Sequence, residues 1–183
     1  MAKKNKRVKE YLFVDGYNII NSWERFNKLK NENLEEARNE LIEIMTEYKH
    51  YSGIEVIIVF DAHLVKGNCG TKENYNGLKV IYTKENETAD QYIEKQLDEI
   101  GRIKRVRVAT SDWMEQQIIL GRGGTRISAR ELEMEIFNEK KLMKRKNNLE
   151  NKKNDLLLGR LDEKTIDRLN KIISKDWIAL TNI

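Results

Sequence analysis

Three short apolar runs each end in an aspartate: Tyr11-Leu-Phe-Val-Asp15, Ile54-Glu-Val-Ile-Ile-Val-Phe-Asp61 and Val106-Arg-Val-Ala-Thr-Ser-Asp112. Their β-branched and aromatic content suits strands buried on both faces. Between the first two, Leu34, Ala37, Leu41, Ile44, Met45 and Tyr48 recur at helical spacing, and Ala89, Tyr92, Ile93, Gln96, Leu97 and Ile100 do so before the third. Alternating strands and helices predict an α/β domain of three layers, α/β/α, with a mainly parallel central sheet and right-handed crossovers. Ligands of such open sheets bind beyond the carboxyl ends of the strands. The three aspartates are therefore expected to converge along one edge.

Local signals fill in the remainder. The first strand spans 10–15, Ser52-Gly53 stops the helix that follows, and 54–60 is the second strand. Residues 62–77, rich in Gly and Asn, are expected to form a mobile loop beside Asp61. A short strand at 78–82 precedes a helix capped by Thr88 and ended by Gly101. Another strand covers 105–110, Asp112 opens a helix through Leu120, and 125–128 is a minor last strand. Ser128 and Glu131 have capping-box spacing, so a helix is expected from Ser128, with a basic hinge near 144–155. Leu161, Ile166, Leu169, Ile172, Ile173 and Trp177 suggest a terminal amphipathic helix. The chain thus divides into a basic tail (1–9), an α/β domain (10–137) and a basic helical extension (138–183).

At 183 residues a core of ordinary size needs no disulfide framework, and the lone Cys69 has no partner in the chain, which favours a reducing, cytoplasmic setting. No apolar run is long enough to span a membrane. The net charge of +4 comes from 34 basic and 30 acidic residues, so the placement of charge matters more than its total. Lysines and arginines crowd positions 3–9 and 140–153, stretches suited to neutralising phosphates or to a solvated surface.

Gathering carboxylates is unfavourable, since two unit charges about 4 Å apart repel by roughly 4 kcal/mol at an effective dielectric near 20. Hard oxygen donors without a His or Cys cluster point to Mg²⁺ or Mn²⁺ as the compensating charge. Glu87 and Asp90, at the start of the Thr88-capped helix, could reach the same ion; for Glu87, favourable charge at a helix N-terminus is the competing role. Asn18 offers a neutral donor and acceptor near Asp15. An acid-lined site with such an ion fits phosphodiester hydrolysis, with Asp15, Asp61, Asp90, Asp112 and Asn18 at its centre. An anionic substrate also needs cations, for which Lys66, Lys72, Arg122, Arg126 and Arg130 are candidates. His50 and His63 lack zinc-ligand spacing, and no organic cofactor is implied.

Val14-Asp15-Gly16-Tyr17-Asn18, Val59-Phe60-Asp61, Glu87-Thr88-Ala89-Asp90 and Ala109-Thr110-Ser111-Asp112 together resemble the NYN branch of the PIN-like nucleases, specifically the YacP-like bacterial proteins, over roughly residues 10–137. The resemblance implies a metal-dependent endoribonuclease in which Asp15, Asp61, Asp90 and Asp112 form the acidic site with Asn18 beside it. It also implies RNA, and messenger RNA on the translating ribosome in particular, as substrate and setting. A non-catalytic RNA- or ribosome-binding module is the alternative, motivated by the basic clusters.

Overall fold

Valine and isoleucine, stiff at χ1 and well fitted to a pleated surface, dominate the strands of a six-stranded sheet. The computed structural model describes residues 9–62, 70–112 and 115–158, so Lys66, His63, Cys69 and the terminal helix expected at 161–177 lie outside the described residues. The chain divides into two compact units, Met1–Lys140 and Lys141–Ile183.

In the first unit the strands are β1 (Glu10–Asp15), β2 (Glu55–Phe60), β3 (Lys72–Tyr75), β4 (Leu78–Tyr82), β5 (Arg105–Ala109) and β6 (Thr125–Ile127). They lie in the order β3-β4-β2-β1-β5-β6. Every neighbouring pair is parallel except β3–β4. The helices are α1 (Gly16–Ser22), α2 (Leu29–Glu32), α3 (Leu34–Ser52), α4 (Ala89–Ile100), α5 (Glu115–Gly121) and α6 (Ala129–Leu158).

Strand alternation sorts the core into two layers. Leu12, Val14, Val56, Ile58 and Phe60 face α1, α3 and the start of α6, where Ile19, Leu41, Met45 and Leu132 are fully buried. Phe13, Ile57, Val59, Val106 and Val108 face α4 and α5 through Ala89, Ile93, Leu97 and Ile119. Helices on both faces of a mainly parallel sheet make the expected three-layer α/β/α fold.

The ends of these elements follow local chemistry. Asn33 caps α3 by accepting from the Glu35 and Glu36 N–H groups, and Gly53 closes it in the left-handed conformation, φ 68°. Thr88 and Gln91 form a reciprocal capping box on α4. Ser128 Oγ accepts from the Glu131 N–H at 3.2 Å while the Glu131 carboxylate accepts from the Ser128 N–H at 2.8 Å, the expected box on α6.

Three expectations are corrected. Residues 72–82 are not part of a loop and single strand but a hairpin, turned by Asn76 and Gly77 with φ 50° and 87°. Asn-Gly is the usual sequence of such a type I′ turn, but the polar, four-residue β3 gives no apolar alternation to read. The segment near 144–155, expected as a hinge, is helical: α6 runs to Leu158. Finally, Gly16–Ser22 is helical immediately after β1, where no helix was expected.

Candidate active site

β1 and β2 run side by side in parallel with Asp15 paired to Val59, so Asp61 stands two residues further along the same edge. Both aspartates have the parity of Phe13, Ile57 and Val59, the residues that face α4. The first turn of α4 carries Asp90. Strand alternation and one helix N-terminus thus bring Asp15, Asp61 and Asp90 together from positions remote in sequence.

Backbone N–H groups hold these side chains in place. Asp15 caps α1, its Oδ1 accepting from the Asn18 N–H at 3.1 Å. The Asp61 Oδ1 accepts from the Ala89 N–H at 2.6 Å, fastening the start of α4 to the end of β2 one residue before Asp90. Asn18 in turn accepts from the Ser111 N–H at 2.6 Å through its Oδ1, which binds α1 to the end of β5. That Oδ1 is therefore engaged in scaffolding. Gly16 has no substitute in this packing, because a Cβ there would lie 2.1 Å from the Phe60 ring.

Asp15 is only 8% exposed. Burial pushes its carboxyl up to about 7; the Asn18 N–H opposes this, and the negative charges of Asp90 and Asp61 add to it. The Oδ1 of Asp90 is buried without a hydrogen-bond partner among the described residues. Among the described residues none of Asp15, Asp61 and Asp90 has an ion-pair partner. Asp112 lies exposed beyond the end of β5, its N–H donating to the Thr110 Oγ1 at 3.0 Å.

The remaining candidates are distributed otherwise. Glu87 is paired with Lys95 at 2.6 Å and accepts from the Lys84 N–H at 3.3 Å, an arrangement that holds its carboxyl below the usual range. Arg122 is paired with Glu94 and Asp98 of α4. Lys72 is exposed at the start of β3, Arg130 is exposed in the first turn of α6, and Arg126 on β6 is half-buried, its Nε without a hydrogen-bond partner among the described residues. Clefts of about 840 and 730 Å³ lie along α3 and contain none of the aspartates. Asp90 itself lines a small pocket with Ile93, Leu97 and Ile119.

A divalent ion is chemically compatible with this edge. Its donors are hard carboxylate oxygens, one of them buried and unpartnered. Among the described residues no group of three His, Cys, Asp or Glu side chains is arranged to hold a metal ion. Mg²⁺ is commonly held through only one or two carboxylates and keeps several waters.

One residue of this edge escaped sequence reasoning. Arg38 of α3 is 9% exposed, and its Nη1 donates to the Tyr17 hydroxyl at 3.0 Å. A charged residue in the apolar stripe Leu34, Leu41, Met45, Tyr48 was the available signal.

Carboxylates gathered beyond a parallel sheet between two helical layers define a nuclease-like α/β domain. The model of the YacP-like NYN domain family matches residues 12–174, and the chain belongs to that family. It is similar to the uncharacterized protein YacP of Bacillus subtilis (strain 168), 50% identical over 128 residues that cover 69% of this chain and 75% of the relative. Among solved structures it is similar to Rae1 (YacP) from Bacillus subtilis, with a TM-score of 0.67, 41% identity and coverage of 92% of this chain and 97% of that one. A tryptophan-to-leucine mutant of the same Bacillus subtilis protein gives a TM-score of 0.63 at 44% identity, covering 74% of this chain and 79% of the other.

Proposed function

We propose that the chain is a metal-dependent endoribonuclease that hydrolyses RNA phosphodiester bonds, cutting messenger RNA in association with the translating ribosome. The observation that carries this reading is the set of clustered carboxylates without cationic partners among the described residues, with Asp90 Oδ1 buried and unsatisfied by any of them. An isolated fold has no use for such a group, whose desolvation costs about 1–3 kcal/mol or more when charged. Membership of a nuclease-like family supports hydrolysis as the chemistry.

Of Asp15, Asp61, Asp90 and Asp112, one or two would hold Mg²⁺ or Mn²⁺ directly and the others through its water shell. Such an ion supplies an activated water and offsets charge on the phosphate. The protein's own contribution is orientation. The Asn18 N–H fixes one oxygen of Asp15, the Ala89 N–H fixes one oxygen of Asp61, and the Asn18–Ser111 bond keeps the ends of β1 and β5 in register. The basic stretches at 3–9 and 140–153 support attraction to RNA and to the ribosome.

The test maps RNA ends on translating ribosomes supplied with wild-type protein or Asp90→Asn, with and without a chelator. New ends are expected with wild type and divalent metal only. Equal cutting by a folded Asp90→Asn protein overturns the reading. Salt-sensitive RNA binding without any new ends would instead identify a non-catalytic RNA-binding module.

A further inference from the structure

Helix α3 turns Arg38 inward with Leu41, Met45 and Tyr48, which are at most 1% exposed. A guanidinium carries five N–H donors in a fixed fork. Among the described residues Arg38 makes a single hydrogen bond, to the neutral Tyr17 phenol. No carboxylate among them lies within ion-pair distance of it, whereas Arg25, Arg107 and Arg122 each have one or two. Burying a charge without a counterion is expensive, so this side chain is unexplained by packing alone.

Its position gives the reason. Tyr17 lies two residues after Asp15, and its ring meets Phe60, the residue before Asp61, with centroids 5.1 Å apart. The charge of Asp61 reaches the Tyr17 hydroxyl. Arg38 therefore borders the same sheet edge as the carboxylates, approaching it from the α3 face, while Asp15, Asp61 and Asp90 approach from the α4 face. A ligand crossing the edge meets negative groups and then a planar cation, none of them ion-paired among the described residues. A chain of successive anionic units suits both: one unit bridged to the acids by cations, and its neighbour received directly by the guanidinium fork.

We propose that Arg38 binds a phosphate of the RNA strand flanking the one that lies among the carboxylates. This rests on the ribonuclease reading, from which its test is separable.

The full chain carrying Asp90→Asn binds without cutting, and a single-stranded RNA oligonucleotide is the probe. Adding Arg38→Met is expected to weaken binding roughly 10- to 150-fold and to lower the slope of log affinity against log salt by about 0.7. Arg38→Lys, which keeps the charge and loses the fork, should restore the slope and only part of the affinity. Oligonucleotides bearing one uncharged methylphosphonate at each position in turn locate the contact. One position should weaken the Arg38 protein and leave the Arg38→Met protein unaffected, the signature of a coupled pair.

An unchanged slope in a folded Arg38→Met protein overturns the proposal. So does the absence of any salt-dependent binding, or a scan of the Arg38 protein in which no single phosphate stands out; the scan decides even if the Met variant does not fold. The ribonuclease reading fails separately, if wild type produces no ends with metal while the Arg38 coupling holds.

Discussion

The two ends of the sheet carry charge in opposite ways. Toward the amino ends of the strands, Glu55 is paired with Lys9 at 3.2 Å and Lys49 at 2.9 Å. Arg107 joins Glu10 at 2.7 Å and Glu135 at 2.8 Å, and Tyr48 also donates to Glu135. Each of these carboxylates meets a cation, and the pairs tie α3, α6 and three strands together. At the carboxyl ends, Asp15, Asp61 and Asp90 gather without such partners among the described residues, and Arg38 stands nearby with no acid among them in ion-pair distance. Charge satisfied internally holds a fold together; charge left unsatisfied at one edge is available to a ligand. The parallel sheet allows this separation because all strand ends of one polarity share an edge.

The largest effect expected is on cutting. If the unsatisfied edge is the reacting one, Asp90→Asn should lower the rate by roughly 10²- to 10⁴-fold, the several kcal/mol that charge stabilisation at such a site supplies, with the circular dichroism spectrum unchanged. No loss of cutting would erase the functional difference between the two ends.

Asp15 tests the same contrast through stability. Its folded carboxyl, pushed up to about 7, lies above its ordinary value of 3.8. The folded state therefore binds the proton more tightly, and wild-type stability without metal should fall as pH rises from about 4 to about 7, then level off. The full effect is on the order of 4 kcal/mol. Asp15→Asn removes this slope and should be the more stable protein at pH 8, as read by thermal unfolding. Adding Mn²⁺ at pH 8 should raise the melting temperature of wild type and not of the variant. A slope that survives in Asp15→Asn would show that another group titrates.

The amino end should behave in the reverse manner. Glu135→Gln weakens the bonds to Arg107 and Tyr48 and is expected to destabilise by about 1–3 kcal/mol. Cutting at a temperature where the variant is folded should be unchanged, and metal should bring no added stabilisation beyond that of wild type. A large loss of cutting here would mean that the two ends are coupled.

Much of this contrast was legible in the sequence because period-two alternation and strand polarity are local rules. Asp15 and Asp61 followed from strands that end where they were read to end, and Asp90 from a Thr88 cap. What stayed hidden depends on tertiary surroundings. β3 has no buried face to announce it, apart from its Asn76-Gly77 turn. α6 continues through lysine-rich sequence because intrinsic propensity, not an apolar stripe, sustains it. Arg38 stands in register with the apolar stripe of α3, a signal passed over, and the packing of α3 against Tyr17 shows it buried. The pairing of Arg122 with two acids of α4 was equally invisible, since it joins residues more than twenty positions apart in the chain.

Glu87 is the smallest and sharpest case, because it lies at the carboxyl edge yet is charged in the manner of the amino edge. Sequence spacing allowed it to be a metal ligand or a helix-terminus charge. Its carboxylate is held by the exposed Lys95 and by the Lys84 N–H, at the start of α4. A pair with one partner so open to solvent contributes less than about 1 kcal/mol. Glu87→Gln should therefore shift stability by no more than that and leave cutting within about twofold, a change of about 0.4 kcal/mol in the barrier. Lys95→Met should reproduce the stability change, and the double variant should add nothing further if the pair is the whole interaction. A loss of cutting in Glu87→Gln comparable to that in Asp90→Asn would instead place Glu87 with the unsatisfied carboxylates and enlarge the reacting edge by one acid.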